Sequence, residues 1–181
     1  MNLDESLLVK ECLKGKHDSQ KRLYEHFAPK MLGVCYRYAS SIEEAEDFLQ
    51  ETFIIVFRKL SQYKGKGELG AWIRRIAINT SLNGIKARHR FGDNTNAIPI
   101  EQVQDSIAIQ YPGSEKELME LVHQLPDGYK AVFNLYAIEG FSHDEIAGML
   151  GIQPGTSRSQ YMKARQMLIL KLSPELKQPK Q

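Results

Sequence analysis

The sequence predicts an all-α protein: two small helical domains joined by an extended linker. Three observations carry this. Apolar residues recur at helical spacing over most of the chain, and no alternating run reads as a strand. Three Ser-x-x-Glu capping boxes begin at Ser41, Ser114 and Ser142. From about Arg90 to Gly113 the periodicity disappears, and Asn, Asp, Gln, Ile and two prolines dominate. The boundaries that follow are a first domain over 1–90, an acidic linker over 91–113, a second domain over 114–173 and a flexible tail over 174–181.

The first helix starts after Asp4 as N-cap, carries Leu7, Leu8 and Cys12 on its apolar side, and stops near Gly15. The second starts after Asp18 and runs to about Ala39, with Leu23, Phe27, Val34 and Tyr38 inward. Pro29 is expected to kink or restart it. Ser41 and Glu44 open the third helix by satisfying backbone donors reciprocally, and Ala45, Leu49, Phe53, Val56 and Leu60 share its stripe. Gly65, Gly67 and Gly70 then loosen a loop before a fourth helix over about Leu69–Arg88. In the second domain, Leu118, Leu121, Val122 and Leu125 follow the Ser114 box, and Pro126 ends that helix. A helix over roughly Gly128–Glu139 stops at Gly140. A short one after Ser142 ends at Gly151, and the last runs from about Thr156 to Leu172.

A chain of 181 residues buries about 70% of its unfolded surface and needs no staple. Cys12 and Cys35 are too few for a disulfide framework or a cysteine-based zinc site, and are expected to pack as small apolar groups. The longest apolar run, Phe53–Phe57, falls far short of the ~20 residues of a membrane span. The acidic start at Asp4 and Glu5 has no signal-peptide pattern, so the expected compartment is the cytoplasm. His17, His26, His89, His123 and His143 have no metal-ligand spacing. No catalytic triad, paired carboxylate or phosphate-binding glycine motif is present. The expectation is a protein with no catalytic centre, no cofactor and no metal.

The net charge of +2 hides a segregation. Residues 61–90 carry 7 basic groups and 1 acidic, 91–128 carry 1 basic and 7 acidic, and 129–181 carry 7 basic and 4 acidic. Two basic blocks around an acidic one suit two contact points on a polyanion, although solvated faces of random sign would look alike.

Residues 142–168 have helix-turn-helix spacing. Ile146, Ala147 and Leu150 face inward, Gly151 makes the turn, and Ser157, Tyr161, Ala164 and Leu168 pack the second helix. Arg158, Ser159, Met162 and Lys163 then point outward. From Thr156 to Leu172 there are four basic residues and no acid. Arg158 and Lys163 suit guanine O6/N7, while Thr156 and Arg165 suit phosphates. These features favour DNA binding over an ordinary helical hairpin with a basic face.

The other basic block differs. On the fourth helix Asn79, Asn83, Lys86 and Arg90 share a sector of about 60°, amides and cations together. The preceding loop holds Tyr63, Lys64 and Lys66, which suit an unstacked base. Trp72 reads as core. On the third helix Asp47, Gln50 and Glu51 leave a polar edge beside Phe48 and Phe53. Read alone, that edge is an amphipathic helix surface.

Together these residues resemble a known family. Asp47-x-x-Gln50-Glu51-x-Phe53, the glycine loop, and Trp72-Ile73-x-x-Ile76-Ala77-x-Asn79 resemble the second conserved region of extracytoplasmic-function (ECF) sigma factors, within the sigma-70 family. Leu125-Pro126, Ile138-Glu139-Gly140, Glu145-Ile146-Ala147, Leu150-Gly151-Ile152, Gly155-Thr156 and Ala164-Arg165 resemble their fourth region.

The resemblance implies a promoter-specificity subunit of bacterial RNA polymerase. It implies that Asp47, Gln50, Glu51 and Phe53 bind the beta-prime clamp helices, with the beta flap as a further contact of the core enzyme. Tyr63, Lys64, Lys66, Asn79, Asn83, Lys86 and Arg88 would open and read the minus-ten element. Thr156, Arg158, Ser159, Met162, Lys163 and Arg165 would read the minus-thirty-five element. The 91–113 linker would thread into the polymerase, and an anti-sigma factor is expected as a partner. Three departures limit the transfer. Asn83 stands where the family often has Asp, Ser157 where a branched apolar residue is usual, and Gln160 and Tyr161 where Arg and Leu or Ile are common. No promoter sequence is therefore carried over. The alternative, a one-component regulator with an effector-binding N-terminal domain, leaves the glycine loop and the Asn79 face without a use.

Overall fold

The computed structural model describes residues 4–90 and 115–172, and the chain divides into two compact units, 1–88 and 89–181. Among the described residues there is no strand. Ser114 and the 91–113 and 174–181 segments lie outside them.

The first unit contains α1 (Glu5–Leu13), α2 (His17–Tyr36), α3 (Ile42–Lys59) and α4 (Leu69–Arg90), with one 3-10 turn at Leu60–Gln62. Asp4 caps α1 by accepting from the Leu7 amide at 3.0 Å. Leu8, Val9 and Cys12 are the residues α1 buries. Leu7, expected inward, is exposed. Helix α2 begins at His17, not after Asp18, and continues through Pro29 without a break. Pro29 is exposed, and so is Glu25, the residue four positions earlier whose carbonyl loses its amide partner.

Ser41 caps α3, accepting from the Glu44 amide at 3.3 Å, but the return arm differs from the expected box. Glu44 Oε2 accepts from the Ser40 amide, at 2.6 Å. Leu23, Met31, Tyr38, Val56, Leu60, Leu69 and Ile73 are fully buried and form the centre of the core. Two buried hydroxyls are satisfied along their own helices: Thr52 donates to the Phe48 carbonyl at 2.6 Å and Ser81 to that of Ala77 at 2.9 Å.

The start of α4 is held from a distance, since the Leu69 amide donates to Glu5 Oε2 at 3.3 Å. Its later turns require Gly84, because a Cβ there would lie 2.2 Å from the Phe48 ring.

The second unit contains α5 (Glu115–His123), α6 (Asp127–Phe133), α7 (His143–Leu150) and α8 (Pro154–Leu172). The helix expected over 128–139 is instead α6 followed by a π turn at Asn134–Ile138, where the Glu139 amide reaches the Asn134 carbonyl at 3.0 Å. The widened turn accompanies burial of both Asn134 and Leu135. Val122, Leu125, Ala164 and Leu168 form a core of this unit, with Tyr129 and Phe133 against it.

Ser142 and Glu145 complete a reciprocal capping box on α7, the Ser142 amide donating to Glu145 Oε2 at 2.9 Å. Gly151 ends α7 in the left-handed region, at φ 72°. Helix α8 starts earlier than expected, at Pro154, whose fixed φ and missing amide suit the first helical position.

Candidate nucleic-acid interface

The α7–Gly151–α8 segment has the geometry of a helix-turn-helix, two helices joined by a three-residue turn. Ile146 and Ala147 are buried beneath it, with Leu150 half-buried. On α8, Ser157, Ala164 and Leu168 face inward. Thr156, Arg158, Ser159 and Lys163 are exposed, while Met162 and Arg165 are half-buried. The Ser159 hydroxyl donates to the Thr156 carbonyl at 3.0 Å. Tyr161 packs against Phe133 and Tyr136, with ring centroids at 6.0 and 4.6 Å.

One feature of this motif was not visible as a site in the sequence. His143, grouped in the sequence with four other histidines that have no metal-ligand spacing, lies with Nδ1 2.9 Å from the buried Ser157 Oγ. Burial, and next the Arg158 guanidinium, hold the His143 imidazole below its ordinary pKa. Burial likewise lowers His123, with Lys130 second.

On the first unit, Asn79 and Asn83 are exposed on α4 and Lys86 is half-buried. Arg88 faces a carboxylate: its Nη1 donates to both oxygens of Glu44. The side chain of Arg90 is not described. The loop before α4 is closed as well as glycine-rich. Tyr63 donates its hydroxyl to the Gly67 carbonyl at 2.7 Å, and its half-buried ring lies 5.6 Å from that of Trp72. Lys64 and Lys66 are exposed, and Gly65 and Gly67 take positive φ. Trp72, expected in the core, is half-buried as the floor under Tyr63.

Three of the four residues of the α3 strip, Asp47, Gln50 and Glu51, are exposed, but Phe53 is 3% exposed and meets Tyr24 edge-to-face at 4.7 Å. It supports the strip from beneath because it falls on the same helical stripe as Leu49 and Val56. Tyr24, Leu49 and Gln50 line a groove of about 480 Å³ between α2 and α3. Exposed Ile54 lies on α3 as well. Neither Tyr24 nor Ile54 was marked by the sequence, since each lies off the apolar stripe of its helix and periodicity alone assigns such a position no role; both are exposed.

Cys12 and Cys35 are buried free thiols, both pushed up in pKa by burial. Among the described residues no group of three metal-ligating side chains occurs, and no helix is long and apolar enough to cross a membrane.

Two helical units, one built around a helix-turn-helix with an exposed cationic face, define a DNA-binding transcription protein. The family comparisons divide the chain in the same way: Sigma-70 region 2 matches residues 23–91 and Sigma-70 region 4 matches 115–168. The chain is 27% identical to the ECF RNA polymerase sigma-E factor of Haemophilus influenzae, over 95% of this chain and 97% of that one. It is 28% identical to the RNA polymerase sigma-H factor of Pseudomonas aeruginosa, over 94% and 95%. With the ECF RNA polymerase sigma factor SigE of Mycolicibacterium smegmatis it shares 31% identity, over 83% of this chain and 60% of that one. In fold it is similar to the sigma factor RpoE of Bartonella quintana, solved with the anti-sigma factor NepR, at TM-score 0.51 and 24% identity over 84% of this chain and 94% of that one. The chain belongs to the sigma-70 family, in its ECF group, and is a sigma factor directing transcription initiation.

Proposed function

We propose that the two units read two promoter elements. Helix α8 enters the major groove of the minus-thirty-five element, where Arg158 and Lys163 donate to guanine O6/N7. Thr156 and Arg165 hold phosphates there, with Ser159 and Met162 alongside. Helix α4 and its loop open and read the minus-ten element through Asn79, Asn83, Lys86, Lys64 and Lys66. Asp47, Gln50 and Glu51 dock on the beta-prime clamp helices, the beta flap is a further contact, and an anti-sigma factor competes for the protein in the cytoplasm. Phe53, Tyr63 and Arg88 act behind these surfaces, holding the exposed groups in place.

The observation that supports this most is the partition of α8: Arg158 and Lys163 exposed, Ser157, Ala164 and Leu168 buried. A helix that packs on one side and offers cations without a single acid on the other suits a groove lined by phosphates.

Two costs set the mechanism. Reading a duplex is cheap, because the major groove already displays its donors and acceptors. Opening the minus-ten element costs a few kcal/mol for each base taken out of the stack. Polymerase contacts must offset that cost, so the subunit has no need of a catalytic centre. The isolated chain should therefore bind promoter DNA weakly, and the reconstituted holoenzyme tightly. A gel-shift comparison tests this, and tight sequence-specific binding by the isolated chain overturns it.

A further inference from the structure

The recognition helix is seated by a polar pair. Ser157 lies in the first turns of α8, fully buried, and its Oγ is 2.9 Å from Nδ1 of His143, the first residue of α7. His143 stacks on Tyr136 with ring centroids 4.3 Å apart and planes 9° apart. Tyr161, one turn beyond Ser157 on α8, closes the group at 4.6 Å from Tyr136 and 6.0 Å from His143. The histidine ring is thus fixed by an aromatic face from the π turn while it bonds the buried hydroxyl of the neighbouring helix.

A bond of this kind constrains what an apolar seam does not. Apolar contact is non-directional and tolerates small rolls of one helix on another. A hydrogen bond weakens steeply away from its distance and angle, and a buried hydroxyl without a partner is costly. Successive residues on a helix are 100° apart, so a modest roll of α8 moves a side chain from a base edge toward the backbone. Arg158 follows Ser157 directly and lines the same cavity, of about 810 Å³, as Tyr136, His143 and Tyr161.

We infer that His143 and Ser157 are a positioning pair that fixes the roll of α8, and so sets how sharply Arg158 and Lys163 discriminate their base pairs. The pair acts through those two residues and touches no base itself. This rests on the reading of α8 as the minus-thirty-five helix.

The test uses holoenzyme reconstituted with full-length variants, on a promoter found by sequencing the transcripts that the wild-type holoenzyme starts. The readout is the ratio of initiation on that promoter to initiation on a copy with one changed minus-thirty-five base pair. Ser157→Ala and His143→Phe should each lower the ratio by about three- to tenfold, the worth of one hydrogen bond. The double variant should fall no further than the larger single effect, because both remove the same bond. His143→Asn, which places an amide near the position of Nδ1, should keep most of the discrimination. Loss of activity on both promoters with an unchanged ratio, alongside a lowered melting temperature, makes the pair merely structural and overturns the inference. Arg158→Ala separates the two ideas. If it leaves the ratio unchanged, the reading of α8 fails; if it lowers the ratio while Ser157→Ala does not, the pair alone fails.

Discussion

Arg88 Nη1 donates to both carboxylate oxygens of Glu44, at 2.5 and 2.6 Å, tying α4 to the first turn of α3. The two side chains are 20% and 25% exposed, and the same carboxylate receives the Ser40 amide. A charged hydrogen bond with this much shielding is worth about 1.5–3 kcal/mol. Arg88→Ala and Glu44→Ala should therefore each destabilise the first unit by about that amount. In a double-mutant cycle followed by urea unfolding, the two losses should be strongly non-additive. Additive losses would mean that the pair does not form in solution.

Gly84→Ala should destabilise the protein although alanine is the better helix former. The helix gains about 1 kcal/mol, but a Cβ 2.2 Å from the Phe48 ring forces the α3–α4 contact apart, at a cost of about 1–3 kcal/mol. Phe48→Leu in the same chain should recover part of the loss. Urea midpoints of the three variants measure it, and a more stable Gly84→Ala protein would contradict the close approach.

Asn79→Ala should impair strand opening more than initial promoter binding, because Asn79 is exposed on the α4 face assigned to separated bases. Permanganate reactivity of promoter thymines in the holoenzyme complex reads this directly. Normal reactivity would remove Asn79 from the role.

Arg158→Ala and Lys163→Ala should each weaken minus-thirty-five recognition by about 1–3 kcal/mol, with sequence preference lost at one position apiece. Run-off transcription over a set of single-base-pair promoter variants gives the measure. Unchanged preference in both would place the reading face elsewhere on α8.

Acid should loosen the second unit. His143 and His123 are both held below the ordinary histidine value of 6.5, chiefly by burial. The unfolded chain therefore binds more protons as pH falls past that value, so their contribution is complete above pH 6.5 and is lost on going down through the folded values. Amide exchange in α7 and α8 should speed up below pH 6.5 beyond its intrinsic pH dependence. His143→Gln should flatten part of the change.

The legible part of this protein was local. Asp4, Ser142 with Glu145, and Gly151 could be placed from the sequence because a cap or a left-handed stop acts within four residues of itself. The inward set on α8 followed from one helical period, and so did the outward cations. What was not legible lies where two helices meet. The stripe places Phe53 inward but does not show that Tyr24 of α2 covers it, and nothing local shows that Arg88 faces Glu44. The π turn at Asn134–Ile138 was read as plain helix, since its apolar spacing differs from a regular helix by one residue only.

The sequence by itself determined the helical class, the helix-turn-helix and the segregation of charge, because periodicity, caps and charge are properties of neighbouring residues. Tertiary structure alone decided the pairings that hold the sites: Glu5 with Leu69 across 64 positions, Glu44 with Arg88 across 44, and His143 with Ser157 across 14. Each depends on how one helix is rotated and set against another. That rotation is fixed by close packing of the whole core, in which a one-residue step turns a side chain through 100°.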